Sequence, residues 1–223
     1  LAGIDGWREL GSDGHGNTRI RGGFREQEPI NGDDCFLTID VDIQIIIEEE
    51  LRSAVEKHQA DKAEAILVDP NTGEILALAN IPTFNPNSRS KITEASLIAH
   101  PIMSAFEPGS TFKVVGATAL LEDKKVHPMD MFDCEGGKYS IHGIDVKDWK
   151  SFDNLTFAEV LQNSSNIGII KAVELLDESM MFNTARKFGF SEKSGIQFPY
   201  ESSGSLKNNK LWSELSKSEI AIG

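Results

Sequence analysis

Cysteine is scarce. Cys35 and Cys134 are the only two in 223 residues, too few for a disulfide framework and not spaced as C-x-x-C. Two thiols with no bridge implied leave the redox compartment open. The five histidines, His15, His58, His100, His127 and His142, show no H-x-x-x-H spacing, so no metal site of ordinary ligand geometry is read and no cofactor is expected. Long apolar runs are missing as well. Nothing approaches the roughly 18 to 20 residues that a membrane-spanning helix needs, and Leu1 to Leu10 lack a signal peptide's basic-then-apolar order. Positive charge is in deficit: 22 Lys and Arg against 35 Asp and Glu give a formal net charge of -13. That field repels phosphate backbones and argues against a nucleic-acid partner. The ordinary balance of apolar and charged residues excludes fibrous and wholly disordered classes, and the length suits one sizeable domain with a smaller appendage. The chain starts without methionine and stops at Ile220-Ala221-Ile222-Gly223 with no finishing element. It is therefore expected to be cut from a longer, anchored protein.

Eight of the 19 glycines precede Cys35, and the runs Gly11-Ser12-Asp13-Gly14-His15-Gly16 and Gly22-Gly23 read as a linker or hairpin remnant. Gly14-His15-Gly16-Asn17-Thr18-Arg19 has some likeness to a dinucleotide loop, but its third glycine is absent and no apolar strand precedes it. Phe36-Leu37-Thr38-Ile39 is strand-like. Ile43, Ile46, Ile47, Leu51, Ala54 and Val55 then recur at helical spacing through about Lys57, with Asp40 or Asp42 available as cap. Ala65 to Val68 and Glu74 to Leu78 flank Asp69-Pro70-Asn71-Thr72-Gly73, which predicts two antiparallel strands joined by a reversal. Proline-interrupted Ile81 to His100 reads as surface loop or short helix. Phe106-Glu107-Pro108-Gly109-Ser110 breaks the chain before a helix from Thr111 to Leu121 that is apolar on nearly every side and so belongs in the interior. Leu155 to Leu161 and Ile167 to Leu176 read as helices separated by Gln162-Asn163-Ser164-Ser165-Asn166. A further helix spans Phe182, Ala185 and Phe188 and ends at Gly189.

Ser110 and Lys113, three apart at a helix start, share one face within plausible hydrogen-bond reach. A serine hydroxyl is a poor nucleophile unless a base takes its proton, and a neutral amine can do so as the oxygen attacks a carbonyl. Lys113 must then be uncharged. Burial supplies the means: bringing a lysine pKa from about 10.4 towards 7 takes roughly 4 to 5 kcal/mol of differential interaction. Amides at the helix start, that of Ser110 included, are placed to face an oxyanion. The plain alternative makes Ser110 a helix cap and lets Lys113 snorkel to water. Ser88-Arg89-Ser90-Lys91 repeats the spacing without an apolar helix behind it, so its lysine should stay solvated. Ser164 and Asn166, taken alone, are also accounted for by helix capping.

Phe106-Glu107-Pro108-Gly109-Ser110-Thr111-Phe112-Lys113 together with Ser164-Ser165-Asn166 resembles the S-x-x-K and S-x-N motifs of a class B penicillin-binding protein. Leu37-Thr38-Ile39-Asp40 with Ile43-Gln44, Val68 to Ala77, and Phe132-Asp133-Cys134-Glu135-Gly136-Gly137 resemble the same family. The resemblance implies an α+β fold of the penicillin-binding protein and serine β-lactamase kind, with an antiparallel sheet flanked by helices and a helical subdomain, incomplete at the C-terminus. It implies a peptidoglycan D,D-transpeptidase in which Ser110 is acylated by a stem peptide ending in D-Ala-D-Ala and a neighbouring stem's amine accepts the acyl group. Lys113 would take the proton, Ser164 relay it, and Asn166 bond the substrate amide and orient Lys113. Such residues suit those tasks, since serine both donates and accepts while an asparagine amide adds no charge. β-Lactams would acylate Ser110 irreversibly.

The family's third motif is K-[ST]-G on a cleft strand. Lys193-Ser194-Gly195 has the letters, but it follows a helix and precedes a loop-like Ile196 to Gly204, so the true motif is expected after Gly223. The fragment alone is expected to acylate slowly or not at all. By the same resemblance, residues 1–35 are the tail of an N-terminal pedestal or dimerisation domain with linker, and 36–223 are the transpeptidase domain. The motifs look more like cell-division enzymes than elongation ones. The implied setting is the periplasmic or extracytoplasmic face of the bacterial inner membrane, without the anchor in this chain, and the implied partners are stem peptides, β-lactams and membrane-embedded cell-wall or division proteins. A serine β-lactamase or β-lactam sensor, and a non-catalytic cell-wall scaffold, remain as alternatives.

Overall fold

The structure is a computed structural model that describes residues 2–12, 15, 18–19, 25–213 and 215–223. The chain divides into two compact units, Leu1–Ile81 and Pro82–Gly223. In the first, β1 (Trp7–Arg8) pairs with β4 (Glu26–Gln27) and β2 (Gly11–Ser12) with β3 (Thr18–Arg19), all antiparallel. The glycine-rich lead-in thus carries hairpin structure. Gly14, Gly16 and Asn17 of the loop-like run, and Gly22-Gly23, lie outside the described residues.

Helix α1 (Val41–His58) starts at Asp40, whose carboxylate accepts from the Asp42 and Ile43 amides at 3.0 and 3.1 Å. This satisfies two of the amides that a helix start leaves unpaired. Strands β5 (Ala63–Val68) and β6 (Ile75–Ile81) form the antiparallel pair read from the sequence, with Ile66 opposite Leu78. Their turn closes through the Gly73 amide on the Asp69 carbonyl at 2.8 Å, with Gly73 at φ +79, a conformation that glycine adopts without steric cost. Residues 36–39, expected as a strand, form no ladder. The Thr38 hydroxyl donates to the Ile75 carbonyl, the Asp40 amide donates to the Leu76 carbonyl, and the Gln44 side chain both donates to and accepts from Leu78. Side chains and a helix entry occupy the free edge of β6, so no third strand forms there.

The second unit opens with irregular chain and two single-turn helices, Arg89–Lys91 and Ala95–Leu97, followed by α2 (His100–Met103). After a 3-10 turn over Gly109–Phe112 comes α3 (Lys113–Glu122). Strands β7 (Met131–Asp133), β8 (Lys138–Ile141), β9 (Ile144–Lys147) and β10 (Asn154–Thr156) make two antiparallel pairs, β7 with β10 and β8 with β9. They are too short and polar for hydrophobic patterning to reveal. Helix α4 (Phe157–Gln162) is held by a capping box in which Thr156 and Glu159 bond each other's backbone amides. Then follow α5 (Asn166–Val173), α6 (Glu178–Lys187) and α7 (Ser216–Ile222). Phe112, Val115 and Leu120 of the 3-10 turn and α3 pack with Phe157 and Val160 of α4, Ile169 and Val173 of α5, and Met181 of α6. Helix α3 is interior, as its apolar girth predicts. Among the described residues no helix is long and apolar enough to cross a membrane.

Candidate active site

The turn Gly109–Phe112 splits its residues between water and core. Gly109 takes φ +59 after Pro108, and the Thr111 hydroxyl donates back to the Pro108 carbonyl at 2.7 Å. Phe112 is buried against Phe190 in an edge-to-face contact at 4.8 Å. Ser110 is left exposed, while Lys113, opening α3, is only 3% exposed. Ser110 is not the cap of this turn, and Lys113 does not snorkel, so the plain reading of the pair is set aside. Gly223, at φ +102, backs the same turn so closely that a Cβ there would collide with Gly109.

Lys113 does not bond Ser110. Its Nζ donates to the Ser164 carbonyl at 2.6 Å, the Ser164 hydroxyl at 2.9 Å and the Asn166 Oδ1 at 2.7 Å. The long side chain leaves its own turn and reaches the α4–α5 connection. Three acceptors suit an ammonium, yet desolvation pulls the Lys113 pKa below the ordinary lysine value, with the Asp148 carboxylate opposing it. Once neutral, the amine keeps two N–H groups and one lone pair. The carbonyl and amide oxygens take the former, and the Ser164 hydroxyl can turn to donate to the latter. Lys113 and Ser164 can therefore exchange a proton with little atomic motion.

The connection itself explains why Ser164 and Asn166 are free for this. Helix α4 ends in a Schellman arrangement, with the Ser164 amide on the Leu161 carbonyl and the Ser165 amide on the Val160 carbonyl. Ser164 occupies the left-handed position at φ +53, where glycine is usual. Ser165 caps α5, its hydroxyl accepting from the Gly168 amide at 2.9 Å. One serine does the capping, and the side chains on either side of it point to Lys113. Gly168 is required by close packing, because a Cβ there would lie 2.5 Å from Val160 Cγ2.

Asp148 was not singled out from the sequence. It follows β9 and accepts from the Ser165 hydroxyl at 2.6 Å and from the Asn166 and Ile167 amides at 2.6 and 3.2 Å. Trp149 beside it is exposed and donates from its indole to the Asn163 carbonyl at 2.8 Å. No sequence spacing links residue 148 to a turn some 17 positions later, although a lone Asp-Trp after a short polar strand is the trace it leaves.

The look-alike motifs lie elsewhere. Lys91 of the second S-x-x-K is exposed in a single-turn helix. Lys193-Ser194-Gly195 is irregular chain, with the Ser194 hydroxyl and amide both donating to Glu201 at 2.6 Å, which holds that carboxyl below its usual range. A cavity of about 640 Å³ flanks the Gly109–Phe112 turn, lined by Phe106, Pro108, Phe112, Phe190 and Leu206 among others, but not by Ser110 or Lys113.

Residues 63–223 match the model of the penicillin binding protein transpeptidase domain. The chain belongs to that family. Its curated relatives put this penicillin-binding domain in class B, as the motifs implied. It is 33% identical over 187 residues to the peptidoglycan D,D-transpeptidase FtsI of Escherichia coli, covering 84% of this chain and 32% of the relative. It is 31% identical over 223 residues to the probable peptidoglycan D,D-transpeptidase PbpC of Pseudomonas aeruginosa, covering 100% and 39%. Among solved structures, the transpeptidase domain of Burkholderia pseudomallei penicillin-binding protein 3 superposes with a TM-score of 0.75 at 29% identity, covering 84% of this chain and 52% of that one. These likenesses bear out the α+β penicillin-binding fold. The chain spans about a third of the length of the curated relatives it matches.

Proposed function

We propose that this chain is part of a peptidoglycan D,D-transpeptidase in which Ser110 is the nucleophile. The observation that carries the reading is the buried Lys113 amine, clasped by Ser164 and Asn166 one turn away from an exposed serine. Ser110 Oγ attacks the carbonyl carbon between the two terminal D-alanines, and its proton passes to Lys113, directly or through Ser164. The oxyanion collapses, the C–N bond breaks, and the departing D-alanine amine takes a proton back from the Lys113–Ser164 pair. An ester on Ser110 remains. A neighbouring stem's amine then attacks that ester, losing its proton to the same pair, and Ser110 is regenerated as the cross-link forms. With a β-lactam the broken amide stays tethered, so the first half is completed and the second is blocked.

The proposal places residues 36–223 in the transpeptidase domain, residues 1–35 at the end of a preceding non-catalytic domain, and the K-[ST]-G strand after Gly223. The whole protein then acts at the periplasmic or extracytoplasmic face of the bacterial inner membrane, with stem peptides, β-lactams and membrane-embedded cell-wall synthesis or division proteins as partners. The name of the Escherichia coli relative supports the cross-linking chemistry. The test is covalent labelling of the complete protein with a fluorescent penicillin. A stable adduct mapped to Ser110 and lost on Ser110→Ala is expected. A folded, unlabelled wild type contradicts the reading, and rapid release of hydrolysed penicillin turns it into a lactamase.

A further inference from the structure

One carboxylate holds the Ser164–Asn166 connection from outside its own helices. One oxygen of Asp148 accepts from the Ser165 hydroxyl at 2.6 Å, and the other from the amides of Asn166 at 2.6 Å and Ile167 at 3.2 Å. The Asp148 amide donates to the Gly137 carbonyl at 3.2 Å, which ties it to the loop before β8. The preceding residue takes part too: Asn166 Nδ2 donates to the Lys147 carbonyl at 3.0 Å. With the amide nitrogen committed there, Oδ1 is the atom left to face Lys113. The end of β9 therefore fixes both the backbone and the side-chain orientation of Asn166.

We infer that Asp148 is a positioning residue for acylation, clamping Ser165 so that Ser164 and Asn166 meet the Lys113 amine from two sides. The inference rests on the transpeptidase reading of this site. Ser164 needs such a clamp because it sits in a left-handed conformation disfavoured for residues with a Cβ. Ser165 is fully buried, and its hydroxyl bonds Asp148, the Gly168 amide and, at 3.5 Å, the Cys134 sulfur, so it has no partner in water.

Asp148 also acts through charge, favouring the protonated form of Lys113 against desolvation. The charged side chains that act on the neighbouring Cys134 thiol are Asp148, Lys171 of α5, which is paired with Glu135 at 2.7 Å, and Asp133. Burial pushes the pKa of the Cys134 thiol up.

The experiment measures the rate of covalent penicillin capture against pH for the complete protein, for Asp148→Asn and for Ser165→Ala, with unfolding midpoints as a check on folding. Asp148→Asn keeps the shape but offers N–H groups where acceptors are needed. Its plateau rate should fall on the order of 100-fold, the scale of a roughly 1 Å misplacement. Its acid limb should move to lower pH, because the charge that helped Lys113 hold its proton is gone. Ser165→Ala keeps that charge, so capture should slow with the limb unmoved. Wild-type rates and profiles in both variants overturn the inference. So does slow capture by a folded Asp148→Asn with an unmoved limb, which would leave a merely structural role. If Asp148→Asn fails to fold, a wild-type rate in Ser165→Ala overturns it alone. A wild type that captures no penicillin removes the transpeptidase reading and this inference together, an outcome distinct from the others.

Discussion

On the proposed transpeptidase reading the chemistry turns on Lys113, whose pKa is set by where it is buried. Desolvation is the larger influence and lowers its pKa, while Asp148 opposes it. Only the neutral amine accepts a proton, so acylation should slow as pH falls below the Lys113 pKa, by about tenfold per unit. The acid limb should lie below the ordinary lysine range, and stopped-flow capture of a chromogenic β-lactam across pH reads it out. Ser164 offers a second test at the same scale. A left-handed serine costs about 1 kcal/mol that glycine avoids, partly offset by the entropy glycine loses on folding. Ser164→Gly should therefore leave urea-unfolding stability equal or slightly higher. Capture should nevertheless fall about 100-fold or more, the range of a lost general acid or base. A stable variant with wild-type capture would show that the hydroxyl has no part.

At the scale of elements, the site depends on how closely α4 and α5 approach. Gly168→Ala would drive a Cβ against Val160, and overpacking of this kind costs typically about 1 to 3 kcal/mol. Thermal unfolding should show the loss, and adding Val160→Ala should recover much of it by opening room for the new methyl. An additive double mutant would contradict the packing argument. The same elements show what the sequence could disclose. The interior helix α3 was legible from apolar residues on every side, and the β5–β6 pair from its Asp-Pro-Asn-Thr-Gly turn. The polar break Gln162 to Asn166 was legible as a break. That Ser165 alone caps α5, freeing Ser164 and Asn166, was not, because serine and asparagine share the capping preference. The expected strand at 36–39 failed because Gln44 and Thr38 side chains take the β6 edge. The expected Ser110–Lys113 bond is replaced by longer-range partners, since a lysine stem reaches as easily across a packed interface as along its own turn. Asp148 acts through the fold, and the Asp-Trp pair it leaves in the sequence does not point to the turn it bonds.

Across the whole chain, the two compact units differ in what they hold. The first holds the hairpin and helix that resemble the family outside its motifs. The second holds Ser110, Lys113, Ser164, Asn166 and Asp148 around a continuous apolar core. The lowered pKa of that amine is thus a property of the assembled second unit, since α3 supplies the lysine, the α4–α5 connection its partners and the end of β9 the carboxylate that opposes desolvation. Titrating that amine in the complete protein tests the account most directly. With lysine labelled at Cε and the Lys113 signal assigned by its loss in Lys113→Arg, the carbon shift should report a midpoint below the ordinary lysine pKa of about 10.4. A midpoint at or above that value would mean a charged Lys113 at every working pH, and the proton-transfer scheme would have no base.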